Sequence, residues 1–251
     1  MAAIPQYVQI KADGLQASRG GKILFSRLSF RLQSGQMAVI NGANGAGKST
    51  LLRLIAGLYP PLAGTVCLSA ETADNSAAAL PLPAFSHYLS DKNAMKPQLS
   101  VRDNLRFWQR FFAPDYKREA EQQALQRLLA RVSMAAYADF PFAALSTGQK
   151  RRIGMSRLLT GARPLWLLDE PTSGLDKAGT ALFSRICREH LAGGGLIIAA
   201  THMPLGLPAD ISLDLTDYRP QTAAEQFYDP LAAGQTADYS SGPAANSGER
   251  R

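Results

Sequence analysis

Residues 42–49 read Gly42-Ala43-Asn44-Gly45-Ala46-Gly47-Lys48-Ser49, three glycines followed by a lysine and a hydroxyl. Glycines at that spacing let the backbone turn tightly enough for several N–H groups to face one anion. The apolar run Met37-Ala38-Val39-Ile40 predicts a buried strand before the loop, and a helix is expected from about Lys48 to Ala56 after it. That helix adds its positive N-terminal end to the same site. Lys48 is then placed to reach the β- and γ-phosphates of a nucleoside triphosphate, with the Ser49 hydroxyl on Mg²⁺ and Thr50 next to it.

A second constellation is Leu165-Trp166-Leu167-Leu168-Asp169-Glu170, four apolar residues ending in two acids. A buried strand of this kind delivers Asp169 to its carboxyl end as a Mg²⁺ partner. Glu170, one residue on, is placed to polarise a water for in-line attack on the γ-phosphate. The third is Leu145-Ser146-Thr147-Gly148-Gln149, where Ser146 caps a helix expected from about Thr147 and makes a further anion site with the backbone amides.

The elements that position these groups alternate between strand-like and helix-like stretches, the pattern of an α/β domain with a mostly parallel core sheet. Leu28, Phe30 and Leu32 alternate with polar partners, as in a half-buried antiparallel strand. Short strands are expected at Thr65 to Leu68, Ala84 to Leu89 and Leu196 to Ala200, and a helix from Lys177. The stretch Ala70 to Pro83, rich in Ala, Ser, Asp and Pro, reads as a loop. From Val101 to about Tyr137 the apolar spacing turns helical, which predicts an inserted helical subdomain at about 97–160. Residues 1–216 read as one ATPase domain, and 217–251, poor in aliphatics, as a disordered tail.

The signature around Ser146, about twenty residues before a strand ending Asp-Glu, resembles the LSGGQ motif of ABC transporter ATPases, with Thr147 in place of the first glycine. The resemblance covers roughly residues 8–215. Ser173-Gly174-Leu175-Asp176 is similar to the family's D-loop, and His202, just beyond a strand, falls at its switch histidine. The fold implied is the ABC-type nucleotide-binding domain of P-loop NTPases, with an antiparallel β subdomain and the inserted helices. The partner implied is a second copy of the chain in a head-to-tail homodimer. ATP then lies between one subunit's phosphate loop and the Ser146, Gly148 and Gln149 loop of the other.

Two departures from the family stand out. An aromatic that stacks on adenine is replaced by Ser18-Arg19, so either Arg19 stacks instead or base recognition is loose. At the position of a glutamine that contacts Mg²⁺ and the attacking water, spacing places Lys92; a lysine is unable to ligate the metal but can neutralise γ-phosphate charge.

Within the family, His87-Tyr88-Leu89 through Ala94-Met95-Lys96-Pro97 to Leu99-Ser100-Val101-Arg102-Asp103-Asn104-Leu105 resembles the haem-exporter ATPases of bacterial cytochrome c maturation. So do Lys150-Arg151-Arg152 and the ending soon after Thr201-His202-Met203-Pro204-Leu205. The resemblance implies a peripheral place for this chain at the cytoplasmic face of the bacterial inner membrane, multi-spanning membrane subunits as partners, and an indirect link to a haem chaperone complex. Haem contacts are expected on a partner, because the chain has no CxxCH and only 3 histidines.

Composition narrows the alternatives. Hydrophobic residues make up 46% of the chain, enough to bury one core. No basic n-region followed by an apolar stretch opens the sequence, and no apolar run approaches the roughly 20 residues that span a bilayer. Cys67 and Cys187, without metal spacing, read as two reduced, buried thiols. The net charge of +7 fits polyphosphate, an anionic membrane face or nucleic acid. The alternatives are the ATPase subunit of another ABC exporter and a soluble ABC ATPase acting on nucleic acid or ribosomes, although chains of the latter kind usually carry two ATPase modules or a long coiled coil; no nucleic-acid partner is expected. A P-loop kinase has no use for the Ser146 loop.

Overall fold

The computed structural model describes residues 7–71, 77–112 and 118–220. Two sheets share the chain. The antiparallel one contains β1 (Val8–Arg19), β2 (Lys22–Gln33), β4 (Ala63–Glu71) and β5 (Ala77–Leu80), in the order β2-β1-β4-β5. The parallel one contains β3 (Met37–Asn41), β6 (Ser86–Leu89), β7 (Leu165–Asp169), β8 (Leu196–Ala200) and β9 (Ile211–Asp214), in the order β6-β7-β8-β3-β9. Their residue patterns differ for a physical reason. In β2, Leu28, Phe30 and Leu32 are buried on one face while Arg27, Ser29 and Arg31 look outward. β7 and β8 are buried at every position because the parallel sheet is covered on both faces.

The helix α1 (Lys48–Ile55) follows β3 and turns Leu51, Leu52, Leu54 and Ile55 into the core between the two sheets, with Phe25, Ile40, Leu167 and Ile198. Gly57 ends it at φ 71°. On the other face of the parallel sheet, Trp166, Leu168 and Ile197 meet a second core built from α3 (Val101–Phe112), α4 (Arg118–Arg131), α5 (Thr147–Ser156) and α6 (Lys177–Ala192). The inserted helices therefore stand on one side of the sheet, directly after β6.

Several expectations are corrected. The Ala70–Pro83 stretch holds a strand, because β5 hydrogen-bonds antiparallel to β4 with Leu68 opposite Leu80. The strand expected from Ala84 starts at Ser86, since Leu82–Phe85 forms a short helical turn, α2. Two strands carried no signal that was read: β1, and the edge strand β9, which pairs with β3 through Ala38–Asn41. The chain stays ordered past Asp217, where the Ser26 amide donates to the Tyr218 carbonyl at 2.8 Å and Tyr218 packs against the core. The remainder of the expected tail lies outside the described residues. Of the two cysteines, Cys187 is buried, but Cys67 is exposed.

Candidate functional site

The phosphate loop, Asp169, Glu170 and His202 meet because β3, β7 and β8 run parallel and deliver their carboxyl ends to one edge of the sheet. β3 opens into residues 42–47, β7 ends at Asp169, and β8 ends two residues before His202. Together with Arg19, Leu24, Asn44, Gly45, Gly47, Lys48, Ser49 and Thr50 they line a cleft of about 260 Å³.

The loop's glycines are required by conformation and, at Gly42 and Gly47, also by space. Gly42, Gly45 and Gly47 have φ of 134°, 82° and 107°. A Cβ on Gly47 would lie 3.1 Å from Leu24 Cβ and 3.2 Å from Phe25 Cδ1, so β2 packs against the loop where it enters α1. Lys48 Nζ donates to the carbonyls of Gly42 at 2.8 Å and Ala43 at 3.2 Å, which holds the ammonium over the loop.

Opposite the lysine, His202 Nε2 lies 3.2 Å from Lys48 Nζ and 3.1 Å from Asn44 Oδ1. In one tautomer that nitrogen accepts from the lysine, and in the other it donates to the asparagine. The same nitrogen is 3.7 Å from Glu170 Oε1, and the His202 amide faces Glu170 Oε2 at 3.4 Å. Glu170 sits at φ 45°, the left-handed region a non-glycine residue rarely adopts, while its amide continues the sheet by donating to Ala200 at 2.8 Å. This turn swings its carboxylate out of the strand direction and toward the cleft.

Asp169 is buried, and the Tyr88 hydroxyl donates to its Oδ2 at 3.2 Å. Burial, then the neighbouring carboxylate, pushes the Tyr88 phenol up to about 12, so it remains a donor. Tyr88 was singled out in the sequence only for its resemblance. Its position on β6, paired in register with Leu167 of β7, is what brings it beside Asp169.

The Ser146 loop stands apart from the cleft. Ser146 caps α5 in a reciprocal box: the Gln149 amide donates to Ser146 Oγ at 3.3 Å, and the Ser146 amide donates to Gln149 Oε1 at 2.9 Å. Ser146 is exposed, and Thr147 packs on the D-loop, its Cγ2 being 3.1 Å from where a Gly174 Cβ would be. Gly148, Gln149 and Ser146 are absent from the lining of their own chain's cleft. Lys92 is also absent from it: the side chain is exposed, and its carbonyl accepts from Ser90 Oγ at 3.0 Å. The expectation that Lys92 faces the phosphates is not met in this conformation, because the loop that carries it is drawn toward α5. Arg19, at the end of β1, does line the cleft beside Leu24.

The fold and the site define an ATP-binding, ATP-hydrolysing subunit of ABC type. The ABC transporter family matches residues 25–173. The cytochrome c biogenesis ATP-binding export protein CcmA of Brucella abortus (strain 2308) is 48% identical over 205 residues, covering 82% of this chain and 90% of the relative. Its counterparts in Rhodopseudomonas palustris (strain BisB5) and Agrobacterium fabrum are 47% and 43% identical, covering 80% and 84% of this chain and 94% and 97% of theirs. Among solved structures, an ABC transporter ATP-binding protein from Pyrococcus furiosus aligns with a TM-score of 0.67 at 19% identity, over 84% of this chain and 100% of that one. That last likeness concerns the fold alone. The chain belongs to the ABC transporter family, among the cytochrome c biogenesis ATP-binding export proteins.

Proposed function

We propose that this chain is the ATP-hydrolysing subunit of the haem exporter complex of cytochrome c maturation, where it energises release of a haem-loaded periplasmic chaperone. The observation that carries the catalytic part is the convergence of Lys48, Ser49, Asp169, Glu170 and His202 on one cleft at the carboxyl edge of a parallel sheet. The names of its relatives support the cargo. The relatives' naming as ATP-binding export proteins supports multi-spanning partner subunits that hold the translocation path, and no helix among the described residues is long and apolar enough to cross a membrane. The chain then works peripherally, at the cytoplasmic face of the inner membrane.

In this reading the loop amides and the α1 N-terminus receive the phosphates of ATP, and Lys48 turns from the Gly42 and Ala43 carbonyls to the γ-phosphate. Arg19 faces the base. Glu170 takes a proton from the attacking water, and His202, already within reach of Lys48 and Glu170, reports whether the γ-phosphate is present. The donors at Ser49 and Asp169 are hard oxygens, which fit Mg²⁺ and leave most of its octahedral shell to phosphate and water. Mg²⁺ would neutralise phosphate charge there.

The exposed Ser146 loop completes the site of a second copy in a head-to-tail dimer. Its separation from its own cleft supports this arrangement. The test is capture of partners from detergent-solubilised membranes by tagged Glu170→Gln protein with ATP, followed by mass spectrometry and a haem absorbance scan. Polytopic subunits with a haem-binding companion are expected. Polytopic partners without haem would discard the cargo, and ribosomal or nucleic-acid partners alone would discard the transporter.

A further inference from the structure

The third helical residue after Gly148 has a role that the cleft lining does not reveal. Arg151 of α5 is 3% exposed, and its guanidinium is spent on backbone carbonyls from two separate segments. Toward the catalytic turn, Nη2 donates to the Glu170 carbonyl at 2.7 Å and the Asp169 carbonyl at 3.4 Å, and Nε donates to Pro171 at 2.9 Å. Toward the loop after β6, Nη1 donates to the Ser90 carbonyl at 2.6 Å and faces Asn93 Oδ1 at 3.5 Å. A planar fork with five N–H donors suits such a cluster, whereas an ammonium on a flexible stem does not.

Both ends of the fork hold something unusual. At one end is Glu170, held at φ 45° against the preference of its β-carbon. At the other, the 90–93 loop is seated on α5 by a notch: a Cβ on Gly154 would lie 2.5 Å from Asn93 Oδ1. Arg157 Nη1 adds a donor to the Asn93 carbonyl at 3.4 Å, and Trp108 of α3 donates to Ala94 at 3.0 Å. The loop is thereby tied to the helical subdomain on one side and, through Arg151, to the catalytic turn on the other. Burial lowers the Arg151 pKa, while Asp91, Asp169 and Glu170 favour its charged form.

We propose that Arg151 is a positioning residue for hydrolysis: it fixes the turn that aims Glu170, and it makes that aim depend on how the helical subdomain and the 90–93 loop sit against the sheet. The connection runs through the guanidinium rather than through the side chain of Lys92. It rests on Glu170 being the group that activates water.

The experiment compares steady-state ATP hydrolysis, binding of a fluorescent ATP analogue and thermal unfolding for the full chain and for Arg151→Gln, Arg151→Lys, His190→Gln, Glu170→Gln and the Arg151→Gln/Glu170→Gln double variant. His190→Gln serves as the control, because His190 is buried beneath the sheet, stacked on Trp166 and bonded to the Pro164 carbonyl, outside both the 90–93 loop and the catalytic turn. Arg151→Gln is expected to lose about tenfold or more in kcat with KM and analogue affinity within about twofold of the parent. Arg151→Lys should recover little, and the double variant should be no slower than Glu170→Gln alone. The His190→Gln variant should lose thermal stability while its folded fraction keeps kcat within about twofold. An Arg151→Gln rate near that of the parent, or an equal kcat loss in His190→Gln, overturns the proposal and leaves Glu170 as the base. Near-normal hydrolysis by Glu170→Gln overturns the reading of Glu170 and the proposal with it.

Discussion

Lys48 Nζ and His202 Nε2 stand 3.2 Å apart, although 154 residues separate them in sequence. The lysine comes from the first turn of α1 and the histidine from the loop after β8, so their meeting depends on β3 and β8 pairing in parallel with Ile40 opposite Ala200. The γ-phosphate would come between or beside these two groups, which gives them different expected losses. Lys48→Ala should weaken binding of a fluorescent ATP analogue by about tenfold or more, because the substituted group contacts phosphate directly. His202→Ala should keep binding within about threefold and lose about tenfold or more in kcat. Equal effects of the two substitutions on binding would contradict the division of roles.

Glu170→Gln preserves the shape of the side chain and removes its basicity. ATP binding should persist, turnover should fall by at least ~100-fold if the carboxylate is the general base, and size exclusion with ATP should show a trapped dimer. Hydrolysis close to normal would remove Glu170 from the reaction.

The Ser146 loop lies outside its own cleft, so a defect there should be repaired by another subunit. Ser146→Arg should abolish hydrolysis while leaving analogue binding to the monomer intact. Mixed with Lys48→Ala, it should recover part of the activity, since one of the two composite sites then has both native halves. Two inactive variants that remain inactive when mixed, under conditions where they co-purify, would count against the head-to-tail arrangement.

Lys92 is exposed and outside the cleft lining. Lys92→Gln in the isolated subunit should therefore leave kcat within about twofold. A larger change would mean that the loop swings to the phosphates during turnover.

Two buried histidines tie stability to pH. Burial, aided by the Arg163 and Arg157 charges and by His190, lowers His87 to about 3 as its ring meets the edge of Phe112. His190 is lowered to about 4, mainly by burial, with its ring stacked 3.7 Å from Trp166 and Nε2 against the Pro164 carbonyl at 3.1 Å. In both cases the folded value lies below the ordinary 6.5, so the unfolded chain takes up protons first as pH falls. Their cost is absent above the unfolded value and grows below it, levelling near 4 for His190 and near 3 for His87. Urea unfolding should show stability falling from about pH 7.5 to about pH 5, and His190→Gln should flatten that dependence. A pH-independent midpoint across this range would contradict the account.

The site was legible in the sequence where local backbone geometry dictates the residue. Gly42, Gly45 and Gly47 occupy positive-φ positions, Gly42 and Gly47 beside packed side chains, and Ser146 is held by its own helix's first turn, so each is specified by local backbone geometry. Tyr88 beside Asp169 and Arg151 across Ser90 and Glu170 left no such mark, since each contact joins segments that meet only through strand register or helix packing. β5 and β9 were missed for a similar reason. The Ile211–Asp214 edge gains its hydrogen bonds from β3, far along the chain, and the Ala77–Leu80 run, although close to β4 in sequence, is alanine-rich and shows little strand preference apart from that pairing.

By itself, then, the order of residues determined an ATP site, its class of fold and the family to which it belongs, because a tight phosphate turn and a buried strand ending in acids admit few residue types. Tertiary structure alone decided that Lys48, Glu170 and His202 share one cleft, that Lys92 lies away from it, and that a buried guanidinium joins the catalytic turn to the helical subdomain. Those outcomes depend on which strands lie side by side and on how α5 sits against the sheet. The free energies involved are sums over distant contacts, and no short stretch of sequence contains them.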